Sequence, residues 1–442
     1  MRLVHSLSAF QMAVTRVNAL SSTTLPLIST EFGTVFDAPV TIGNQTFQLL
    51  VDTGSSDTYV MKSGFTCINA TDNLETPQEN CFYSNKTYQK SNTYKRIPNQ
   101  IFGVKYGAGL ASGIMALEDV SIGNISTKGQ RIAIADHSNP MGDEVNSGLL
   151  GLAYPSLTSA HPANNTDNTT FWFNRLLYNP LFNTMHQQGL IEPYFSLALA
   201  RSPQNKSTAF GGYLTLGGLP PVNHSPEFTI VPVEITETLP LNYTSGKRVR
   251  SYWTTTIHEV KFGPSLNNLT TKSTSFQSFI DSGNYLTFLP SAVVDPINAL
   301  FDPPAKYSPE HEAYIVDCTA KVPEFGLKIG NQTFFHDGSD LIFRPAAGVC
   351  MSSLVSSESV AIGDVTLSIL GVSFLKNVVA VFDFGRDEMR FAKILGGSEN
   401  FTESSGVGKG DSAFSVGVRP VPSSSNLAIW GLLFVSAISY GL

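Results

Sequence analysis

The chain reads as an all-β protein with minor helices, folded as two pseudo-symmetric β lobes that face each other across a cleft. Three observations carry this reading. Short runs rich in Val, Ile, Phe, Thr and Tyr, broken by Gly, Asn and Pro, dominate the chain, as in "APVTIG", "GYLTLGG", "YWTTTIHEVKFG" and "VVAVFDFG". A motif centred on one acidic residue, "FQLLVDTGSSDTYV" around Asp52, is answered by "FQSFIDSGNYLTFL" around Asp281. Each is followed by an apolar glycine segment, "SGLLGLAYPSL" after the first and "LSILGVSFL" after the second, so the two halves repeat one order of elements.

Helical stretches are few. "FWFNRLLYN" and "SAVVDPINALF" are the two expected helices, and "SLTSAHPANNTDNTT" and "ITETLPLNYTSGKRVRS" the expected surface loops. The Pro- and Gly-rich "GGLPPVNHSPEFTIVPV" marks the seam between lobes. The organisation is therefore an N-terminal targeting or pro region over 1–30, and a first lobe over 31–222 with Asp52. A second lobe over 223–396 carries Asp281, followed by a polar linker over 397–426 and a hydrophobic C-terminal signal over 427–442. "IGNQTF", at Ile42 and again at Ile329, reads as a hairpin turn used twice.

A chain of 442 residues suits two domains. With a net charge of −7 it has no basic footprint, which excludes a nucleic-acid partner. Cys67, Cys81, Cys318 and Cys350 are spaced too widely for a metal cluster, so disulfides rather than metal ligation are expected; no metal and no cofactor are expected. Proximity favours Cys67–Cys81 and Cys318–Cys350 among the three possible disulfide connectivities. Twelve Asn-x-Ser/Thr sequons, from Asn44 to Asn400, fit a secreted glycoprotein in an oxidising compartment. The apolar tail "NLAIWGLLFVSAISYGL" follows a small-residue stretch, the pattern of a glycosylphosphatidylinositol attachment signal. Gly410 or Asp411 is its candidate anchor site, and localisation at the cell surface or wall follows. At the other end, the apolar run of "MRLVHSLSAFQMAVTRVNAL" is interrupted by His5 and Gln11, a poor signal peptide.

A lone buried carboxylate is expensive, so Asp52 needs a partner. Asp281 supplies one if the lobes pack about a pseudo-twofold axis that brings the two turns together. Two carboxyls held close share a proton, leaving one acid and one base at the same pH. Gly54 and Gly283 permit the sharp turns and bring backbone N–H groups toward the carboxylates.

From about Phe32 to Lys393 the chain resembles the pepsin-type aspartic endopeptidases, and in its lipid-anchor signal the fungal yapsin-like members. The resemblance implies that Asp52 and Asp281 are catalytic, with Thr53, Ser55 and Ser282 in supporting hydrogen bonds. It identifies "VKYGAGLASG" as the flap hairpin, with Tyr106 over the two aspartates and Gly107 and Ala108 at the tip. The chain departs from the family pattern at three places. Tyr59 stands where Trp is usual and is expected to steady Tyr106. Asn284 stands where Thr or Ser is usual and is expected to donate to Asp281. Ala108 lacks the polar side chain common at the tip.

The leading expectation is a monomeric, cell-surface aspartic endopeptidase that cleaves protein or peptide substrates at acidic pH and binds statine-type inhibitors. Its membrane contact would be the lipid anchor. The alternatives are a catalytically retired pepsin-like binding protein and a two-carboxylate glycosidase; the repeat and the flap hairpin do not predict the second.

Overall fold

A computed structural model describes residues 20–402, apart from 164–170, 172–173, 204–205, 347 and 361–364. Sequons Asn164, Asn168 and Asn205, the anchor residues Gly410 and Asp411 and the apolar tail lie outside the described residues.

The first lobe is built on the hairpin Val35–Ile42 and Gln45–Asp52. Alternation places Phe47, Leu49 and Val51 in the main core, while Leu50 points to the opposite, flap-side cluster. The hairpin turns at Gly43, whose φ of +62° suits the first position of a two-residue loop. Its echo turns in the same way at Gly330, with φ +56°, between strands Glu324–Ile329 and Gln332–Phe335. Three long strands, Lys95–Lys105, Leu110–Ile122 and Ile125–Ser138, complete the flap side of this lobe.

The two halves repeat the same unusual local topology. Strand Gly148–Gly151 lies parallel to Gln45–Asp52, pairing Val51 with Leu150 and Asp52 with Gly151. In the second lobe Ser368–Leu370 lies parallel to Asn268–Ile280, pairing Phe279 with Ile369 and Ile280 with Leu370. Each acidic motif thus leaves the end of a strand held on one side by its own apolar glycine segment.

Between the lobes runs a shared antiparallel sheet, ordered Thr23–Thr30, Ala209–Leu216, Tyr194–Leu199, Val378–Asp383, Glu388–Lys393 and Thr229–Pro232. Tyr194–Leu199 from the first half pairs with Val378–Asp383 from the second, so backbone hydrogen bonds join the lobes. Buried Trp253 sits among Phe195, Phe382, Phe384 and Tyr154, with ring centroids 4.6–5.9 Å from its own, and donates its indole N–H to Leu152 O at 3.0 Å. These rings form an apolar floor under the seam.

Thr23–Thr30, within the expected N-terminal region 1–30, is a strand of the shared sheet: Leu25 and Leu27 are buried and it pairs with Ala209–Leu216. One expectation is corrected. "FWFNRLLYN" forms no helix among its described residues: Leu176 N–H donates to Ala160 O at 2.7 Å and Tyr178 N–H to Thr158 Oγ1 at 3.2 Å. Long-range partners here replace the helical ladder. Helices form instead at Leu181–Gln187 and, as expected, at Ser291–Asn298.

His336 is buried against Phe325 and Phe374, with ring centroids 4.8 and 5.8 Å away, and burial pulls its pKa down to about 3. A base held neutral in the fold takes a proton on unfolding below its ordinary value, so its contribution to stability falls as pH drops from 6.5 toward 3. His336→Leu should therefore gain roughly 3 kcal/mol at about pH 4 relative to its effect at about pH 8. Denaturant midpoints at the two pH values check this; equal shifts at both would refute it.

Candidate active site

Asp52 ends its strand and Asp281 follows its own, and both are almost fully buried. The residues after them interlock. Thr53 N–H donates to Ser282 Oγ at 3.1 Å, and Ser282 N–H donates to Thr53 Oγ1 at 2.9 Å. Each hydroxyl then donates onward into the opposite lobe, Thr53 to Ile280 O at 2.9 Å and Ser282 to Val51 O at 2.7 Å. Only a side chain that both accepts and donates can close such a crossed grip, which is why Thr and Ser occupy these places. The grip holds the two acidic turns in one geometry across the lobe seam.

Within each turn the glycine N–H caps the carboxylate: Gly54 donates to Asp52 Oδ1 at 2.8 Å and Gly283 to Asp281 Oδ1 at 2.9 Å. Ser55 Oγ donates to Asp52 Oδ2. Burial raises the pKa of Asp52, opposed by hydrogen bonds from Ser55, Gly54 and Asp281. The two carboxyls are therefore in hydrogen-bond contact and titrate as a pair.

Gly283 is the position where side-chain size is decisive. A Cβ built there would stand 2.6 Å from Asp52 Oδ1, closer than real Cβ contacts. Gly283→Ala should push the carboxyls apart and remove about 99% of kcat, since general acid–base catalysis is worth at least a hundredfold. Turnover near the wild-type level would show that the dyad tolerates this displacement.

Tyr106 is buried at the start of the turn joining Lys95–Lys105 to Leu110–Ile122. Tyr106 N–H donates to Gly109 O at 2.6 Å; Gly107 is exposed at the tip and Ala108 is partly buried. The phenol lies near Ser55, with the carboxylates of Asp57 and Asp52 also close, which places the hairpin over the pair.

One supporting residue behaves differently from expectation. Asn284 does not serve Asp281: its Nδ2 donates to Leu286 O at 3.0 Å, and its Oδ1 accepts from Leu286 N–H at 3.2 Å. An Asn closes a local turn more readily than it reaches across one. Its backbone carbonyl instead accepts from Val372 N–H at 2.7 Å, tying the turn to the backing segment. Tyr59 packs on Phe102 at 5.5 Å, and its hydroxyl lies close to those of Tyr83 and Tyr106.

Further residues that sequence reasoning passed over belong to this site. Asp57, buried five positions beyond Asp52, accepts from Tyr178 Oη at 2.6 Å and Ser159 N–H at 2.9 Å; burial raises its pKa, and these hydrogen bonds, then Arg175, lower it. A second acidic residue in the same motif was a readable signal. Asn139, whose N–H and Oδ1 both hydrogen-bond Leu110 of the hairpin, had none. The cysteines pair as Cys67–Cys81 and Cys318–Cys350.

Two carboxyl groups held in contact at the seam of two equivalent lobes, beneath a hairpin, are the arrangement of an aspartic-type peptide hydrolase, in which they share a proton. The chain belongs to the eukaryotic aspartyl protease family, whose model matches residues 36–394. It is 38% identical to a probable aspartic-type endopeptidase of Aspergillus fumigatus over 83% of this chain and 80% of that one. It is also 29% identical to endothiapepsin of Cryphonectria parasitica, over 80% of this chain and 75% of that protein. The crystal structure of an aspartic proteinase from Irpex lacteus superposes with TM-score 0.64 at 19% identity, covering 85% of this chain and 98% of that one, a likeness of fold. The enzyme class is that of an aspartic-type endopeptidase.

Proposed function

We propose that Asp52 and Asp281 are the catalytic pair of a secreted, cell-surface endopeptidase working at acidic pH. The observation that carries this reading is the crossed Thr53–Ser282 grip, which holds the two carboxyls in contact, where two close carboxyls share one proton. Water bound between the carboxyls gives a proton to the charged member and attacks the scissile carbonyl, while the protonated member donates to the carbonyl oxygen. The resulting gem-diol collapses when a proton reaches the amide nitrogen and the amine leaves. Tyr106 and the hairpin close over an extended peptide and exclude bulk water.

The retired-enzyme alternative is disfavoured, because both aspartates, both capping glycines and the grip are intact. Secretion is supported by the two disulfides and by sequons exposed at Asn44, Asn85, Asn124, Asn268 and Asn400. The yapsin-like subtype and the lipid anchor at Gly410 or Asp411 rest on the pattern of the tail alone. Partners are protein or peptide substrates and statine-type inhibitors, met by a monomer.

The test is cleavage of a mixed peptide library from about pH 3 to about pH 7, with and without a statine-type inhibitor. Inhibitable cleavage strongest at the acidic end supports the proposal; folded, glycosylated protein that binds inhibitor and cleaves nothing rejects it. Release from the cell surface by a phosphatidylinositol-specific phospholipase tests the anchor separately.

A further inference from the structure

We propose that Tyr83 and Asn139 are positioning residues that clamp the flap hairpin to the Cys67–Cys81 loop. The inference rests on the reading of Lys95–Ile122 as the flap of the proposed protease.

The clamp is a one-way chain of hydrogen bonds. The Tyr59 hydroxyl lies beside the Tyr83 hydroxyl at the start of this chain. The Tyr83 hydroxyl lies 3.0 Å from Ser138 Oγ, and Ser138 Oγ donates to Asn139 O at 2.8 Å, so Tyr83 is the donor to Ser138. Asn139 then grips the hairpin leg twice: its N–H donates to Leu110 O at 2.9 Å, and its Oδ1 accepts from Leu110 N–H at 2.8 Å. Its Nδ2 anchors the grip by donating to Ile68 O at 2.8 Å. Packing at the turn is equally close, since a Cβ at Gly109 would stand 2.7 Å from Asn139 Cβ.

The disulfide fixes both ends of this chain. Cys67 lies in register with Ser138 in the parallel pairing of Thr58–Ile68 with Ile125–Ser138, and Cys81 Sγ lies 3.2 Å from Ser138 O. Two residues beyond Cys81, Tyr83 stands edge-on to Phe65 at 5.7 Å. Tyr83 is therefore held by covalent and aromatic contacts that do not depend on its hydroxyl.

The functional consequence concerns how the flap opens. A flap must move to admit a peptide and then hold it. With Leu110 pinned at both its N–H and its C=O, movement is confined to Tyr106–Gly109, and Tyr106 closes from a fixed base. Tyr83, outside the sequence motif, thus becomes part of the machinery that sets the flap through Ser138 and Asn139.

Amide hydrogen exchange at Leu110 reads the clamp without requiring turnover. In full-length protein on an Asp52→Asn background, Tyr83→Phe should speed Leu110 exchange about tenfold, the loss of one hydrogen bond's worth of support. Ile132 and Ile134 should keep their protection. Asn139→Ala should speed Leu110 further, and Asn139→Asp, which keeps the acceptor, should restore part of the protection. In the active enzyme Tyr83→Phe should raise KM about tenfold with kcat and the pH profile unchanged, because the flap holds substrate and Tyr83 does not touch the dyad. Leu110 exchange at the wild-type rate in Tyr83→Phe, or a fall in kcat at constant KM, would overturn the proposal. If the wild type cleaves no peptide, the protease reading fails while the exchange arm still decides the clamp.

Discussion

Asp52→Asn is expected to lower kcat about a thousandfold or more while leaving the fold intact, because it removes one of the two groups that exchange the proton. The amide is nearly isosteric with the carboxyl and can still accept the Gly54 N–H. The interlobe grip is made by Thr53, Ser282, Val51 and Ile280 and does not involve the side chain of Asp52. Substrate binding, set by the cleft and the flap, should change little, so the loss should appear in kcat with KM nearly constant. Asp281→Asn should do the same, and the double variant should lose scarcely more than either single one, because the pair acts as a unit. Initial rates on one library-derived peptide, with circular dichroism to verify folding, make the measurement. Substantial acid cleavage by either folded single variant would remove the dyad from the mechanism.

The second large effect is on stability. Glu31, which is partly exposed, and the buried Asp37 and Asp143 form an acidic cluster beside the first-lobe hairpin. Asp37 is fully buried opposite Leu50, two residues before Asp52 on the same face of the neighbouring strand. Burial, and then the nearby Asp143, raises its pKa well above the ordinary value. Burial, followed by Asp143 and Glu144, pushes Glu31 up to about 8. Asp143 accepts from Thr30 Oγ1 at 2.5 Å and from the N–H groups of Val145 and Asn146 at 3.0 and 2.7 Å.

Both raised groups hold protons in the fold that the unfolded chain has already lost. Their stabilisation is complete below the ordinary carboxyl pKa and declines as pH rises, for Glu31 until about pH 8, by up to about 1.4 kcal/mol per pH unit. The protein should therefore lose stability steeply between about pH 5 and about pH 8, opposite in sign to the His336 effect at lower pH. Asp37→Asn should flatten this slope and raise stability at neutral pH. Chemical denaturation at about pH 4, 6 and 8 measures it, and a slope unchanged in Asp37→Asn would show that the cluster does not govern it.

Much of the site was legible because its chemistry is local. Asp-Thr-Gly and Asp-Ser-Gly each specify a turn in which the glycine N–H reaches back to its own carboxylate two residues away. The apolar segments that back them carry their own strand patterns, and the cysteines close loops of 14 and 32 residues, so proximity sufficed. Repetition of this local order in each half was enough to read two lobes and a shared seam.

Where local and distant partners compete, the sequence was a poorer guide. Asn284 was expected to serve its neighbour Asp281, but its own turn offers both a donor and an acceptor at Leu286. "FWFNRLLYN" carries a helix-like spacing of apolar residues, yet Leu157, Thr158 and Ala160 supply partners for its side chains and backbone. Thr23–Thr30 acquires its role from a strand nearly 200 residues away.

By itself the sequence determined the acidic motifs, the turns that cap them, the disulfides and the duplicated plan, since each depends on residues within one short segment. Only the tertiary structure decided how Thr53 meets Ser282, what Tyr59 binds and which residues hold the flap. Those contacts join positions 229 residues apart in the grip and 55 apart between Tyr83 and Ser138. A hydrogen bond across such a distance leaves no periodicity in the chain, and exists only when packing of the lobes brings its two ends together.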